Sequence, residues 1–208
     1  MTNKLLLGCG IAGAPLFIVS SLVQAALRDG FDLRRHHLSS LALGDFGWVQ
    51  TATFAVTGLL MLAFAAGLWP AFRAGAVCFG VYGIAMMLGA VFPDQPAFGF
   101  PPGMTADGDA TMHAVGAIGS FIAEVGGCFV FAVHFLRRGR KGIGMYSIAS
   151  GLAAAYLVVT MDPTQSSSAP RLVATCLVTG AWMTAVAVDA WRGSGSAVAT
   201  AQEAVARA

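Results

Sequence analysis

Six apolar stretches divide the chain, each bounded by charge, proline or glycine: Leu5 to Leu27, Trp48 to Phe72, Ala74 to Phe92, Met112 to Leu136, Ile143 to Met161 and Leu172 to Trp191. A helix rises about 1.5 Å per residue, so about 20 apolar residues cross a hydrocarbon core of about 30 Å. Backbone groups find no water to bond in lipid, so spans of this length are helices, and the alternation of a barrel strand is absent. The pattern predicts an all-α, polytopic membrane protein: a six-transmembrane-helix bundle over residues 1–192 with two longer extracytoplasmic loops. Residues 193–208, rich in Gly, Ser and Ala, are expected to form a short flexible cytoplasmic tail.

Composition agrees with the pattern and excludes a soluble enzyme. Of 208 residues 57% are apolar and 11% charged, with mean hydropathy +0.73, whereas a soluble domain carries about a quarter charged residues. The formal charge is +2, with no basic block longer than Arg137 to Lys141, so the expected surroundings are a lipid bilayer and not nucleic acid. Composition names no cofactor and is compatible with a homo-oligomer.

The distribution of Lys and Arg predicts orientation. With the amino terminus cytoplasmic, Lys4, Arg73, Arg137, Arg138, Arg140, Lys141, Arg192 and Arg207 lie inside, while Arg28, Arg34, Arg35 and Arg171 lie outside. Both termini are therefore expected in the cytoplasm of a cell whose inner (plasma) membrane holds the chain. The first stretch has features of a signal peptide, but its 23 residues exceed the usual core of about 7 to 15. Cys9, Cys78, Cys128 and Cys176 fall in four different stretches with no close pair, as small residues filling helix interfaces do.

Candidate chemistry gathers in the two long loops, RDGFDLRRHHLSSLALGDFGW from Arg28 and FPDQPAFGFPPGMTADGDATM from Phe92. Connections of this length in a small bundle are usually functional or disordered. Arg34, Arg35, His36 and His37 stand on the side where positive charge is disfavoured, which calls for partners. Asp29, Asp32 and Asp45 would give a local salt-bridge cluster. The alternative is an anion site for a lipid headgroup or substrate phosphate, since Arg offers planar bidentate donors.

Glu124 stands at the middle of the fourth stretch, where an ionised side chain costs about 2.5 to 3.5 kcal/mol on insertion scales. It must face the bundle or be protonated. Eleven helical steps of about 100° bring His113 to nearly the same face, about 16 Å away along the axis, and Ser120 shares the stripe. Apolar burial favours a neutral carboxyl, which would make Glu124 a proton donor. The alternative is a brace between helices, hydrogen-bonded to Thr57, Thr160 or Thr179.

Asp29, Asp94 and Asp162 mark the outward ends of the odd spans. Convergence with His36, His37 and His113 would offer metal ligands, but no HxxxH or HExxH pair occurs and no metal site is assigned. His134 and Asp189 read as interfacial groups at the inner surface. Trp48, Trp69 and Trp191 fit an aromatic belt, while Trp182, inside the sixth stretch, either packs or lines a cavity.

The strings GFDLRRHHLSSLALGDFGWVQ and FPDQPAFGFPPG, with the isolated His113, resemble an uncharacterised bacterial integral-membrane family catalogued as domain of unknown function 998. The shared pattern is an Arg-His pair with a following Ser at Arg35, His36 and Ser39, a Gly-Trp-x-Gln at Gly47, Trp48 and Gln50, and Pro-Asp at Pro93 and Asp94. Asp29 and Leu33 depart from it, standing where prolines are expected. The resemblance implies a six-helix bundle and carries no activity.

These readings lead to an integral membrane protein with an outward-facing polar pocket. The expected function is acid-base chemistry, such as isomerisation or cyclisation, on a lipid- or isoprenoid-like substrate. Glu124 or Asp94 would protonate and His113 would relay. Arg34, Arg35, His36, His37, Ser39, Gln50, Ser120, Asp162 and Trp182 are the candidate substrate-binding residues. A non-enzymatic carrier or binder of a small hydrophobic or anionic solute, or an accessory membrane subunit, is the alternative.

Overall fold

Proline 70 removes an N–H from the backbone ladder just past the second apolar stretch, and there the chain turns earlier than its hydrophobicity suggests. In a computed structural model, which describes residues 2–206 and the side chains of 3–194, the second helix ends at Leu68. Trp69 to Phe72 form a turn in which the Ala71 and Phe72 amides share the Leu68 carbonyl at 3.0 and 2.8 Å. The helices are α1 (Thr2–Leu27), α2 (Gly47–Leu68), α3 (Arg73–Val91), α4 (Thr111–Arg137), α5 (Lys141–Val159) and α6 (Ser168–Ala206). All six are long and apolar enough to span a membrane, and among the described residues no strand occurs beyond an isolated bridge between Ala97 and Phe100. The α6 backbone continues to Ala206, and most of the tail expected from residue 193 lies outside the residues whose side chains are described.

Each helix packs on its neighbour in sequence, and α6 returns onto α1 to close the ring. The long connections, residues 28–46 and 92–110, share one end of the bundle, here called the long-loop end. The α2 and α3 backbones approach closely: a Cβ on Gly58 would lie 2.8 Å from the Gly83 carbonyl oxygen.

Aromatic packing fills the other half. Trp182 stacks on Phe79 at 5.9 Å between centroids, meets Phe131 edge-on at 5.8 Å, and donates its indole N–H to Ser147 Oγ at 3.0 Å. At 1% exposure it belongs to the packed core.

Charges at the short-loop end lie on aromatic faces or pair across helices. Lys4 sits 4.2 Å over the Trp191 ring and Arg73 5.7 Å over Trp69. Asp189 is bound on both carboxylate oxygens by Arg140, which ties the start of α5 to α6. His134 lies against Phe72, 3.8 Å between ring centroids, and is hydrogen-bonded to Arg138.

Candidate functional site

The loop between α1 and α2 is built around its own backbone groups. Arg28 donates to the carbonyls of Leu41 and Leu43 and lies over the Phe100 ring at 5.6 Å. Leu38–Ala42 form a short 3-10 helix, with Leu38, Ser40 and Leu41 buried beneath it. The chain then enters α2 so tightly that a Cβ on Gly47 would stand 2.1 Å from the Ala42 carbonyl oxygen. Only glycine fits there, a physical reason for the Gly in the Gly-Trp-x-Gln string.

His36 clasps the two long loops together. Its Nδ1 accepts the Asp32 amide at 2.9 Å, which leaves the ring proton on Nε2, 3.3 Å from the Phe98 carbonyl oxygen. Phe31, His36 and Phe100 form an aromatic cluster with centroids 5.1 to 5.3 Å apart. Both ring nitrogens of His36 are thus committed to loop structure.

The expected salt bridges from Arg34 and Arg35 to Asp29, Asp32 and Asp45 do not form among the described residues. Asp32 instead caps its own turn, accepting the Arg34 amide on Oδ1 at 2.9 Å. Arg34 and Arg35 are exposed, and Arg35 reaches the Phe98 carbonyl oxygen at 3.4 Å.

Three elements meet at Asp94. Ser39, from the 3-10 helix, donates to Asp94 Oδ2 at 2.8 Å, and the Gln95 amide donates to Oδ1 at 2.9 Å. His113, in the first turn of α4, holds its Nδ1 2.9 Å from the Phe92 carbonyl oxygen. A carbonyl only accepts, so Nδ1 carries the proton of that bond. Nε2 is left facing Asp94 Oδ2 across 3.9 Å, beyond hydrogen-bond reach. The His113 and Asp94 side chains are 11% and 21% exposed, so the gap lies at a half-open surface.

His37 flanks the same carboxylate, and its Nε2 lies 2.6 Å from Ser168 Oγ at the start of α6. Ser168 spends its own proton on the Gln165 carbonyl at 2.6 Å, so it accepts from the imidazole. This makes Ser168 a latch and not an activated nucleophile. Burial holds the His37 pKa below the ordinary imidazole value, with Asp94 opposing that shift and His113 and His36 adding to it.

Asp94 and Asp162 belong to separate hydrogen-bonded groups. Asp162 binds Thr164 and Gln165 of its own turn, at 2.6 Å to Thr164 Oγ1, and these bonds hold its carboxyl below the usual range. Among the described residues no group of three or more His, Cys, Asp or Glu is arranged to hold a metal ion.

Gln50 is fully buried between α1 and α2. It exchanges hydrogen bonds with Ser21 at 3.0 and 3.2 Å and accepts from Gln24 at 2.7 Å, while Ser20 pairs with Thr53 at 2.7 Å. Sequence reasoning missed this seam, although a signal for it exists: Ser20, Ser21 and Gln24 in one apolar span oppose Gln50 and Thr53 at the matching end of the next.

Along α4, Ser120 and Glu124 are both buried on the inward face. Ser120 bonds back to the Ala117 carbonyl at 2.8 Å. Glu124 occupies a separate cavity about three helical turns from His113, next to Thr179 and not Thr57 or Thr160.

The chain matches no curated protein and no solved structure. Ser39, Asp94, His113 and Ser168, with the helices that bring them together, all fall within residues 11–189, the segment matched by the model of a family described as Protein of unknown function (DUF998), and the chain belongs to that family.

Proposed function

We propose that the long-loop end is an acid-base site for an amphiphile with a lipid- or isoprenoid-like tail, in which Asp94 and His113 are the catalytic pair. The observation that carries this reading is the 3.9 Å separation of His113 Nε2 from Asp94 Oδ2. Asp94 is aimed by two donors, Ser39 and the Gln95 amide, one on each carboxylate oxygen. His113 cannot use Nδ1, which the Phe92 carbonyl holds, so Nε2 is the nitrogen that takes or gives a proton. A substrate hydroxyl or C–H placed between them would have an acceptor on one side and a proton carrier on the other.

The surroundings suit an amphiphile. Val91, Met112 and Val115, next to the pair in sequence, are exposed apolar residues at the helix ends. A tail lying along them would bring its polar end to the depth of His113. Arg34 and Arg35, exposed and with no carboxylate partner among the described residues, suit an anionic headgroup. In the predicted orientation this end faces outward from an inner membrane. Isomerisation or cyclisation by acid-base catalysis is the reaction type we assign: His113, when it carries a proton on Nε2, gives that proton to the substrate, and Asp94 takes one from it.

The test is lipid mass spectrometry of membranes from cells making the intact chain, Asp94→Asn or His113→Ala at equal abundance. The expected result is one lipid class whose mass pattern or isomer ratio changes only with the intact chain. Identical lipid profiles in all three would overturn the reading.

A further inference from the structure

Glu124 forms a second polar centre that the Asp94 and His113 pair does not touch, and its role is independent of theirs. The residue is 5% exposed, and its Oε2 has no hydrogen-bond partner among the described residues. The cavity it faces is walled by Phe17 and Ile18 of α1, Tyr82 of α3, and Cys176, Thr179 and Gly180 of α6. The titratable groups around it are Tyr82 from α3, Cys176 from α6 and Cys128 from its own helix, while α1 supplies none. No cation lines the cavity to compensate a carboxylate.

Thr179 decides which form of the acid fits. Its hydroxyl donates to the Thr175 carbonyl at 2.9 Å, so its single proton is spent. Thr179 therefore presents lone pairs and no proton to the cavity it shares with Glu124, and of the two forms of Glu124 only the carboxylic acid, itself a donor, complements it. We infer that the Glu124 cavity is a proton-binding site at the centre of the bundle, with the proton itself as ligand. A metal cation would need several oxygen ligands, typically about six, where this cavity offers one carboxyl and two hydroxyl side chains. Its volume of about 10 Å³ is at the limit of what a single water requires.

The cavity is closed where α1 meets α6. A Cβ on Gly180 would lie 2.5 Å from Ile18 Cδ1, so the Ile18 side chain seals the wall directly against the α6 backbone. Parting of α1 and α6 at Ile18 is the route of proton exchange in this proposal, and truncating that side chain widens it.

Infrared spectroscopy of the full chain in lipid vesicles at neutral pH tests this without any activity assay. The chain has two glutamates, Glu124 and Glu203, so carbon-13 labelling of glutamate identifies a glutamic acid carbonyl band even if a Glu124 variant fails to fold. The expected spectrum has a protonated-carboxyl band that shifts with the label, persists in Glu203→Gln and is lost in Glu124→Gln. Its exchange in deuterated water should be slow, and at least tenfold faster in Ile18→Ala. Absence of a label-sensitive band, its survival in Glu124→Gln, its loss on adding sodium or potassium ions, or an unchanged exchange rate in Ile18→Ala would overturn the inference.

Discussion

The Nε2 atom of His113 stands 3.9 Å from Oδ2 of Asp94, with the other nitrogen of the ring already bound to the Phe92 carbonyl at 2.9 Å. The separation is too long for a direct hydrogen bond and puts the free ring nitrogen on the side of the carboxylate. The proton-transfer direction of the ring is thereby fixed toward the carboxylate.

On the proposed acid-base function, replacing His113 by Ala is expected to lower turnover by about 10² to 10⁴, the usual contribution of a general acid or base. The helix should survive, since the residue lies in the first turn of α4. Turnover measured beside thermal unfolding in detergent separates the two effects: a lost activity with unchanged unfolding supports the role.

Ser39→Ala removes one of the two donors to Asp94. Asp94 Oδ1 stays fixed by the Gln95 amide, so the expected stability cost is about 0.5 to 1.5 kcal/mol, with a partial loss of activity. An activity as low as that of Asp94→Asn would mean that Ser39 does more than aim the carboxylate.

His37 predicts a pH dependence of stability. Its folded pKa lies below the ordinary 6.5 because burial disfavours the charged ring. Above the unfolded value both states are neutral and its contribution is complete. As pH falls through that value toward the folded one, the unfolded chain binds the proton first and stability drops. Unfolding temperature should therefore fall on acidification from 6.5, with a shallower fall in His37→Gln. Equal slopes would assign the acid sensitivity elsewhere.

Gly47→Ala places a Cβ 2.1 Å from the Ala42 carbonyl oxygen, a clash with backbone that no rotamer relieves. The loop must shift or α2 must begin later. A loss of more than about 2 kcal/mol is expected, of the size seen for strain at special backbone positions. Thermal unfolding of the purified chain checks it, and an unchanged transition would contradict the tight entry into α2.

Much of this architecture is legible in the sequence because membrane helices are local objects. Their length follows from apolar runs, and the inward placement of Ser120 and Glu124 follows from a 100° step. The site is less legible because its bonds are tertiary. Ser39 and Asp94 are 55 residues apart, and His37 and Ser168 are 131 apart, so residue types can nominate them but no spacing can join them. Proximity in sequence suggests salt bridges for Arg34 and Arg35, yet Asp32 finds a nearer donor in its own backbone. His36 and Gln50, nominated as polar groups for a pocket, have their hydrogen-bonding capacity drawn into the loop clasp and the seam between α1 and α2.

Native mass spectrometry of the gently extracted chain tests the central claim most directly, by asking whether the long-loop end holds an amphiphile. The predicted result is a defined lipid- or isoprenoid-like species retained by the intact protein, weakened in the Arg34→Ala, Arg35→Ala double variant and lost in Asp94→Asn. A bare protein, or the same mixed bulk lipids on all three, would contradict it.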